Sequence, residues 1–234
     1  MEKEERHFDE WAKNYNKYIF VSPYHDKWVQ DKLIKELNLK GKPAIMDLGT
    51  GNGRLLLAIS QKNSKCKFIG LDFSKGMLNE ARTNFQKHKL KGTFIQSDMV
   101  NLPLKDESLD YVVSSAAIHH AKNKERLFSQ VFRILKKGGK LAVIDQFDRT
   151  DKNYRELQEK LKRKNPRFWK KYMPSFEKAE RQTTKEFSKM KTEHPREYHL
   201  APFTIKKLLE KIGFQRVKII PTPRFFGIYV AEKR

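Results

Sequence analysis

The run Ala44-Ile45-Met46-Asp47-Leu48-Gly49-Thr50-Gly51-Asn52-Gly53 joins the end of an apolar strand to a turn with glycine at every second position. Ile45, Met46 and Leu48 form the buried body of the strand, and the glycines let the backbone reverse and come close to a ligand. Asp47 then lies at the strand's carboxyl end, the edge at which doubly wound sheets bind ligands. An acid beside bare backbone amides suits a small nucleoside-like molecule carrying an amine, a carboxylate and a ribose. A tight strand-to-helix turn without a ligand would use the same residues, so the downstream sequence has to decide between them.

From Pro43 onward, strand patterns at 44–48, 67–71, 92–96, 109–114 and 140–146 alternate with helical patterns near 53–63, 74–87 and 123–135. Such alternation predicts a mostly parallel sheet with helices on both faces. Gly138-Gly139 is expected to stop the third helix, at 125–135, by supplying left-handed geometry after its last turn. A helix at 204–212, a Gly213 stop and strands at 216–220 and 227–232 around Pro221 and Pro223 predict a terminal hairpin. Its last strand should run antiparallel at or near the sheet edge. The expected fold class is α/β: a doubly wound, mostly parallel seven-stranded sheet with an antiparallel terminal hairpin strand and a helical insertion before the last strands.

Three regions follow from this pattern. Residues 1–40 carry Trp11, Tyr15, Tyr18, Trp28, Val29, Leu33, Ile34 and Leu37 at helical spacings, broken at Ser22-Pro23, and read as a helical cap. Residues 41–149 and 200–234 form the core. Residues 150–199 are rich in Lys, Arg and Glu around Phe168, Trp169, Tyr172, Met173 and Phe176, and read as a basic helical insertion, either a solvated helical face or a substrate lid.

At 234 residues the chain holds one α/β domain with room for such an appendage. It contains no run of about 18 apolar residues, so no membrane-spanning helix is expected. The first ten residues are charged and lack an apolar h-region, which points to a cytoplasmic setting. Cys66 stands alone, with no disulfide partner and no neighbouring metal-ligand spacing. The net charge of +22 would attract nucleic acid or other anionic partners, although a lysine-rich solvated surface gives the same number.

About 20 residues past the turn, Phe68-Ile69-Gly70-Leu71-Asp72 puts a second acid at a strand end, where a carboxylate can bind both ribose hydroxyls. A third follows in Phe94-Ile95-Gln96-Ser97-Asp98-Met99, where Asp98 can accept the exocyclic amine of an adenine and Met99 can pack on its ring. A dinucleotide is disfavoured. Its binders space glycines as G-x-G-x-x-G around a pyrophosphate, whereas this turn is G-x-G-x-G with an acid before it that would repel a phosphate.

With these residues in place, the chain resembles class I S-adenosylmethionine-dependent methyltransferases, the broad family that includes quinone-biosynthesis and wobble-uridine tRNA methyltransferases. The resemblance covers residues 8–147 well and 200–232 more loosely. It implies S-adenosylmethionine as cofactor, S-adenosylhomocysteine as product, and binding through Asp47, Gly49, Gly51, Asp72, Asp98 and Met99. It further implies that Phe73 and Met77 flank the adenine and Ser115 lines the methionine end. Thr50 occupies a position where many relatives carry Cys or Ala. The amino-terminal helices of this family often fold over the cofactor, which gives Tyr18 a capping role.

Methyl transfer from a sulfonium requires in-line positioning and, for a hydroxyl or amine acceptor, removal of a proton. His120 and His119, just past the fourth strand, are the candidate bases. His194 and His199 near the end of the insertion, and Arg224, Phe225 and Phe226 in the last loop, are weaker candidates for the acceptor side. A small-molecule or lipid-like acceptor is the leading expectation. RNA is the alternative, from the charge and from the Ile118-His119-His120 string, which also resembles the tRNA-modifying branch. A cofactor-binding partner protein without catalysis is the third.

Overall fold

The computed structural model describes residues 5–12, 27–167, 169, 170, 173, 174, 177, 181, 196–222 and 226–234. Tyr15, Tyr18, Phe168, Tyr172, Phe176, His194, Pro223, Arg224, Phe225, the Ser22-Pro23 break and the side chain of Phe226 lie outside the described residues.

The strands are β1 (Ala44–Leu48), β2 (Lys67–Asp72), β3 (Gly92–Gln96), β4 (Leu109–Ser115), β5 (Leu135–Gln146), β6 (Gln215–Pro221) and β7 (Phe226–Glu232). They form one sheet in the order β3-β2-β1-β4-β5-β7-β6. β1 to β5 pair in parallel, and β7 runs antiparallel to both β5 and β6. The terminal hairpin is therefore present, with β7 one strand in from the edge. β6 is the more exposed of the two and takes the edge, while the apolar β7 is paired on both sides. Helices α1 (5–12), α2 (Lys27–Leu37), α3 (Arg54–Ser60), α4 (Lys75–Lys87), α5 (Lys124–Ile134), α6 (Lys152–Lys164) and α7 (Pro202–Ile212) surround it.

Alternate side chains of each central strand enter two separate cores, as the period of two requires. Met46, Val112, Leu141, Val143, Tyr229 and Ala231 face α5 and α7, whereas Ile45, Val113, Ala142, Ile144, Ile228 and Val230 face α2 and α3. The helices supply matching stripes at spacings of three and four: Val29, Leu33, Ile34 and Leu37 on α2, and Leu127, Phe128, Val131 and Ile134 on α5.

One expected helix stop lies elsewhere. α5 ends at Ile134 and Leu135 is already extended, so Gly138-Gly139 serves a turn inside β5. Gly138 is left-handed at φ +77°, and a Cβ on Gly139 would come within 2.8 Å of the Lys136 carbonyl. The chain bulges there, and β4 resumes its pairing with β5 at Tyr111 and Lys140.

α6 is the described helical part of the insertion. Asp151 caps it by accepting from the Tyr154 amide, and Tyr154 and Gln158 anchor its inner face. The Tyr154 ring lies edge-on to Phe147 at 4.9 Å, and Gln158 Nε2 donates to the Thr222 carbonyl. Among the described residues, no helix is long and apolar enough to cross a membrane.

Ile45 is fully buried between Phe68 and Tyr111 on the neighbouring strands. Ile45→Ala should cost about 2–5 kcal/mol, read as a lower denaturation midpoint with an unchanged slope.

Candidate functional site at the sheet switch point

The strand order reverses between β1 and β4, and the loops after these two strands flank the crevice where doubly wound sheets take ligands. Gly49, Gly51 and Gly53 after β1 all have positive φ, at +65°, +52° and +81°. At Gly49 the need for glycine is twofold, because an added Cβ would also lie 2.3 Å from the Ala117 Cβ in the loop after β4. The two loops thus touch through the absence of a side chain.

Two carboxylates hold this turn. Gly51 N–H donates to Asp72 Oδ2 at 2.8 Å, and Ser74 N–H donates to Asp72 Oδ1 at 3.0 Å. Thr50 Oγ1 donates to Asp47 Oδ2 at 3.0 Å, and Thr50 N–H donates to the Leu71 carbonyl at 2.9 Å. Asp47 is 1 % exposed, and its Oδ1 has no hydrogen-bond partner among the described residues. Burial pushes its carboxyl up to about 8, against the Thr50 hydrogen bond and with the Asp72 charge adding to the rise. Burial also raises Asp72 to about 6, opposed by the amides of Ser74, Gly51 and Phe73 and assisted by Asp9.

The sequence-predicted residues take different positions around this turn. Ser115 Oγ, at the end of β4, is a second buried polar atom without a partner among the described residues. Met99 is buried, with its Cε 3.7 Å from where a Gly49 Cβ would stand. Asp98 is exposed and accepts from the Val100 amide at 3.0 Å. Met77 is buried on α4, while Phe73 is half-buried beside the crevice. Thr50 is buried, and its hydroxyl orients Asp47.

α1 closes over the same end of the sheet. Asp9 Oδ1 accepts from Ser74 Oγ at 2.5 Å and from Gly76 N–H at 2.9 Å, so a carboxylate sits at the start of α4. Phe8 sets its ring edge-on to Phe73 at 5.2 Å and to His120 at 5.3 Å, bridging the loops after β2 and β4, and stacks on Trp11. Phe8 and Asp9 carry no motif that would have singled them out.

The two histidines part company. His120 is half-buried against Phe8, whereas His119 is buried and its Nδ1 lies 2.5 Å from Asp145 Oδ1. Asp145 is a strand-end acid of β5, in Val143-Ile144-Asp145-Gln146, and the rule that picked out Asp47, Asp72 and Asp98 would have found it. Glu197, which faces His119 Nε2 at 3.8 Å, belongs to an irregular segment with no such signal. His119, Lys124, Asp145, Tyr198 and Tyr229 line a small pocket with apolar walls from Ile118, Phe128, Leu200 and Ile205.

A nucleotide-type crevice at the switch point, with acids and glycines where phosphate cradles would be, defines a methyltransferase-like doubly wound protein. Residues 39–193 match the methyltransferase domain family, and the chain belongs to it. S-adenosylmethionine is the methyl donor of this class. A malonyl-[acyl-carrier protein] O-methyltransferase from a Marinomonas species is 35% identical over 136 residues, covering 57% of this chain and 48% of the relative. A demethylmenaquinone methyltransferase from Oceanobacillus iheyensis is 28% identical over 161 residues, covering 66% of this chain and 67% of the relative. The chain thus spans about half to two thirds of the length of these two curated relatives. In fold, a SAM-dependent methyltransferase from Aquifex aeolicus superposes with a TM-score of 0.64 at 19% identity, over 95% of this chain and 97% of that one.

An ammonium beside Asp47 and hydroxyls donating to Asp72 both favour the ionised carboxylates. Binding of S-adenosylmethionine near pH 7 should therefore release about one proton, and affinity should rise with pH between about 6 and 8. Calorimetry in buffers of different ionisation enthalpy measures the proton directly. In the ligand-free chain the same raised acids bind more protons folded than unfolded, so stability falls as pH climbs from about 4 to 8. Asp72→Ala should weaken cofactor binding by about 1–3 kcal/mol, and an unchanged dissociation constant would remove its carboxylate from the site.

Proposed function

We propose that the chain transfers the methyl group of S-adenosylmethionine to a small-molecule or lipid-like acceptor held at the carboxyl ends of β4 and β5. The observation that carries this reading is the convergence at one switch point of Asp47 Oδ1 and Ser115 Oγ, both buried without partners among the described residues, with the Asp72 carboxylate. The three suit an amine, a polar methionine end and ribose hydroxyls respectively. When bound, the cofactor supplies a methyl group on a sulfonium, already activated for in-line attack.

The chain's own residues then have to bind, orient and exclude water. Asp47, Gly49, Gly51 and Asp72 grip one side, and Asp98 with Met99 and Phe73 receives the adenine. Residues 1–40 serve as a cap, supported by the docking of Asp9 at the start of α4 and by Phe8 between Phe73 and His120. Residues 150–199 serve as the acceptor lid, anchored through Tyr154 and Gln158. In this reading His120 takes the proton from an acceptor hydroxyl or amine, a role supported by its half-buried position beside Phe8 in the loop after β4.

Two relatives support a small acceptor by name, one acting on a carrier-bound malonyl group and one on a demethylated menaquinone. RNA is the second reading, favoured by the net charge of +22 and by the exposed Lys160, Lys162, Arg163 and Lys164 at the end of α6.

Tritiated S-adenosylmethionine offered with quinols, carrier-bound carboxylates and purified total RNA separates the readings. Label is expected in the small-molecule fraction. Label in RNA would overturn the first reading in favour of the second, and cofactor binding without any transfer would leave a non-catalytic partner protein.

A further inference from the structure

His119 stands between two carboxylates from different parts of the chain. Asp145 at the end of β5 holds Nδ1 at 2.5 Å, and Glu197 faces Nε2 at 3.8 Å. Glu197 in turn holds His199 Nε2 at 2.7 Å, and the His119 and His199 rings stack at 5.3 Å. The backbone of the same segment is tied to the sheet end at three points. Tyr198 N–H donates to the His119 carbonyl at 2.7 Å, Asp148 N–H donates to the Leu200 carbonyl at 3.1 Å, and Leu200 bridges Phe147 in parallel. Residues 196–200 form the chain's return from the insertion, and Tyr198 and Leu200 wall the pocket beside β4 and β5.

We propose that His119 is a charged clasp: its imidazolium joins Asp145 on β5 to Glu197 on the 196–200 segment, and that segment leaves the sheet end when the imidazolium loses its proton. The identity of this pocket as the acceptor side rests on the function proposed above, but the clasp itself does not. Asp145 and Glu197 are then positioning residues, acting through His119 on the wall that an acceptor must pass.

Charge decides the sign. With both ring nitrogens protonated, each carboxylate accepts a charge-assisted hydrogen bond or faces a cation. Once Nε2 is deprotonated its lone pair confronts the Glu197 carboxylate, and attraction becomes repulsion. Burial by itself would lower the His119 pKa, but the Asp145 charge and hydrogen bond and the Glu197 charge together lift it above its ordinary value. A raised base stabilises the closed segment at low pH, and that contribution is lost as pH rises through the raised value.

The other groups packed on His119 are accounted for. The His120 ring lies 4.2 Å away in the same turn, and His199 and Tyr198 come from the return segment. From α5, Lys124 Nζ donates to the carbonyls of Ala121 and His119, and burial lowers its pKa to about 8 with Asp145 opposing. From β7, Tyr229 lies near Asp145, and burial keeps its phenol protonated. Lys124, and His199 through its own pair with Glu197, could each imitate the clasp, so variants have to separate them.

Glu197→Gln separates Lys124, because it removes the clasp's second carboxylate from a partly exposed position and leaves Lys124, Asp145 and His119 in place. His199→Asn separates His199, because it removes that ring and leaves the His119–Glu197 pair. Hydrogen exchange of the Tyr198 amide is followed in the ligand-free protein from about pH 6 to about pH 9. Protection is corrected for intrinsic exchange, and the β1 amides are followed alongside as the report of global stability, whose protection has to stay above that of Tyr198 throughout. In the wild-type chain Tyr198 protection is expected to fall at least about tenfold across the range. In Glu197→Gln it is expected to be low already at pH 6 and flat thereafter. The wild-type pH dependence is expected to persist in His199→Asn. A flat wild-type profile overturns the proposal, as does a dependence retained in Glu197→Gln, which would assign the effect to Lys124, or one lost in His199→Asn, which would assign it to the His199–Glu197 pair. Because neither cofactor nor acceptor is present, failure of the methyltransferase reading would appear only in the transfer assay and not here.

Discussion

The hydrogen bond from Gly51 N–H to the Asp72 carboxylate couples the loop after β1 to the end of β2, and the ligand crevice takes its shape from that coupling. A left-handed glycine turn has amides to spare, and an acid at the neighbouring strand end satisfies one of them while keeping further lone pairs for a ligand. The second oxygen of Asp72 takes the Ser74 amide, and Ser74 both caps α4 and donates to Asp9 on α1. One carboxylate thereby fixes the glycine turn, the start of a helix and, through Ser74, the docking of the amino-terminal segment. Without it the amides would need water or another acceptor in a region that the sheet and α1 keep nearly dry.

Such an arrangement is costly for the empty protein. Burial raises both Asp47 and Asp72, with the Asp72 charge adding to the rise of Asp47, and Asp47 Oδ1 and Ser115 Oγ have no partner among the described residues. Buried polar atoms left in this state destabilise a fold unless something completes them. The same deficit gives a bound ligand its leverage, since each new hydrogen bond replaces an unsatisfied atom and not a hydrated one. Beside β4 and β5 the balance differs. His119, Asp145 and Glu197 satisfy one another, so the charges of that region are compensated within the protein.

Most of the core was legible because it obeys two simple periods. Alternating strand residues and helical stripes located all seven strands and the main helices, with only the start of β5 lying well before its expected place, and the acids Asp47 and Asp72 followed from their positions at strand ends. The misplacement of Gly138-Gly139 has a local cause. A glycine pair after a helical stripe reads as a helix stop, but Leu135 had already left the helix and the left-handed geometry was needed for a bulge in β5. Asp145 was readable by the strand-end rule and was passed over because no ligand role was attached to the fifth strand.

The sequence alone determined which chemistry could be present: a two-sided sheet from its apolar runs, close backbone approach from three alternate glycines, and acids at strand ends where a phosphate site would need none. These properties are local, carried by residues within a few positions of one another. Only the tertiary structure decided which groups share an environment. It brought Asp9 to the start of α4, set Phe8 between Phe73 and His120, and closed Asp145 and Glu197 on His119 from distant positions in the chain. Contacts between distant segments depend on how the sheet orders its strands and where the insertion returns, and no local pattern encodes either.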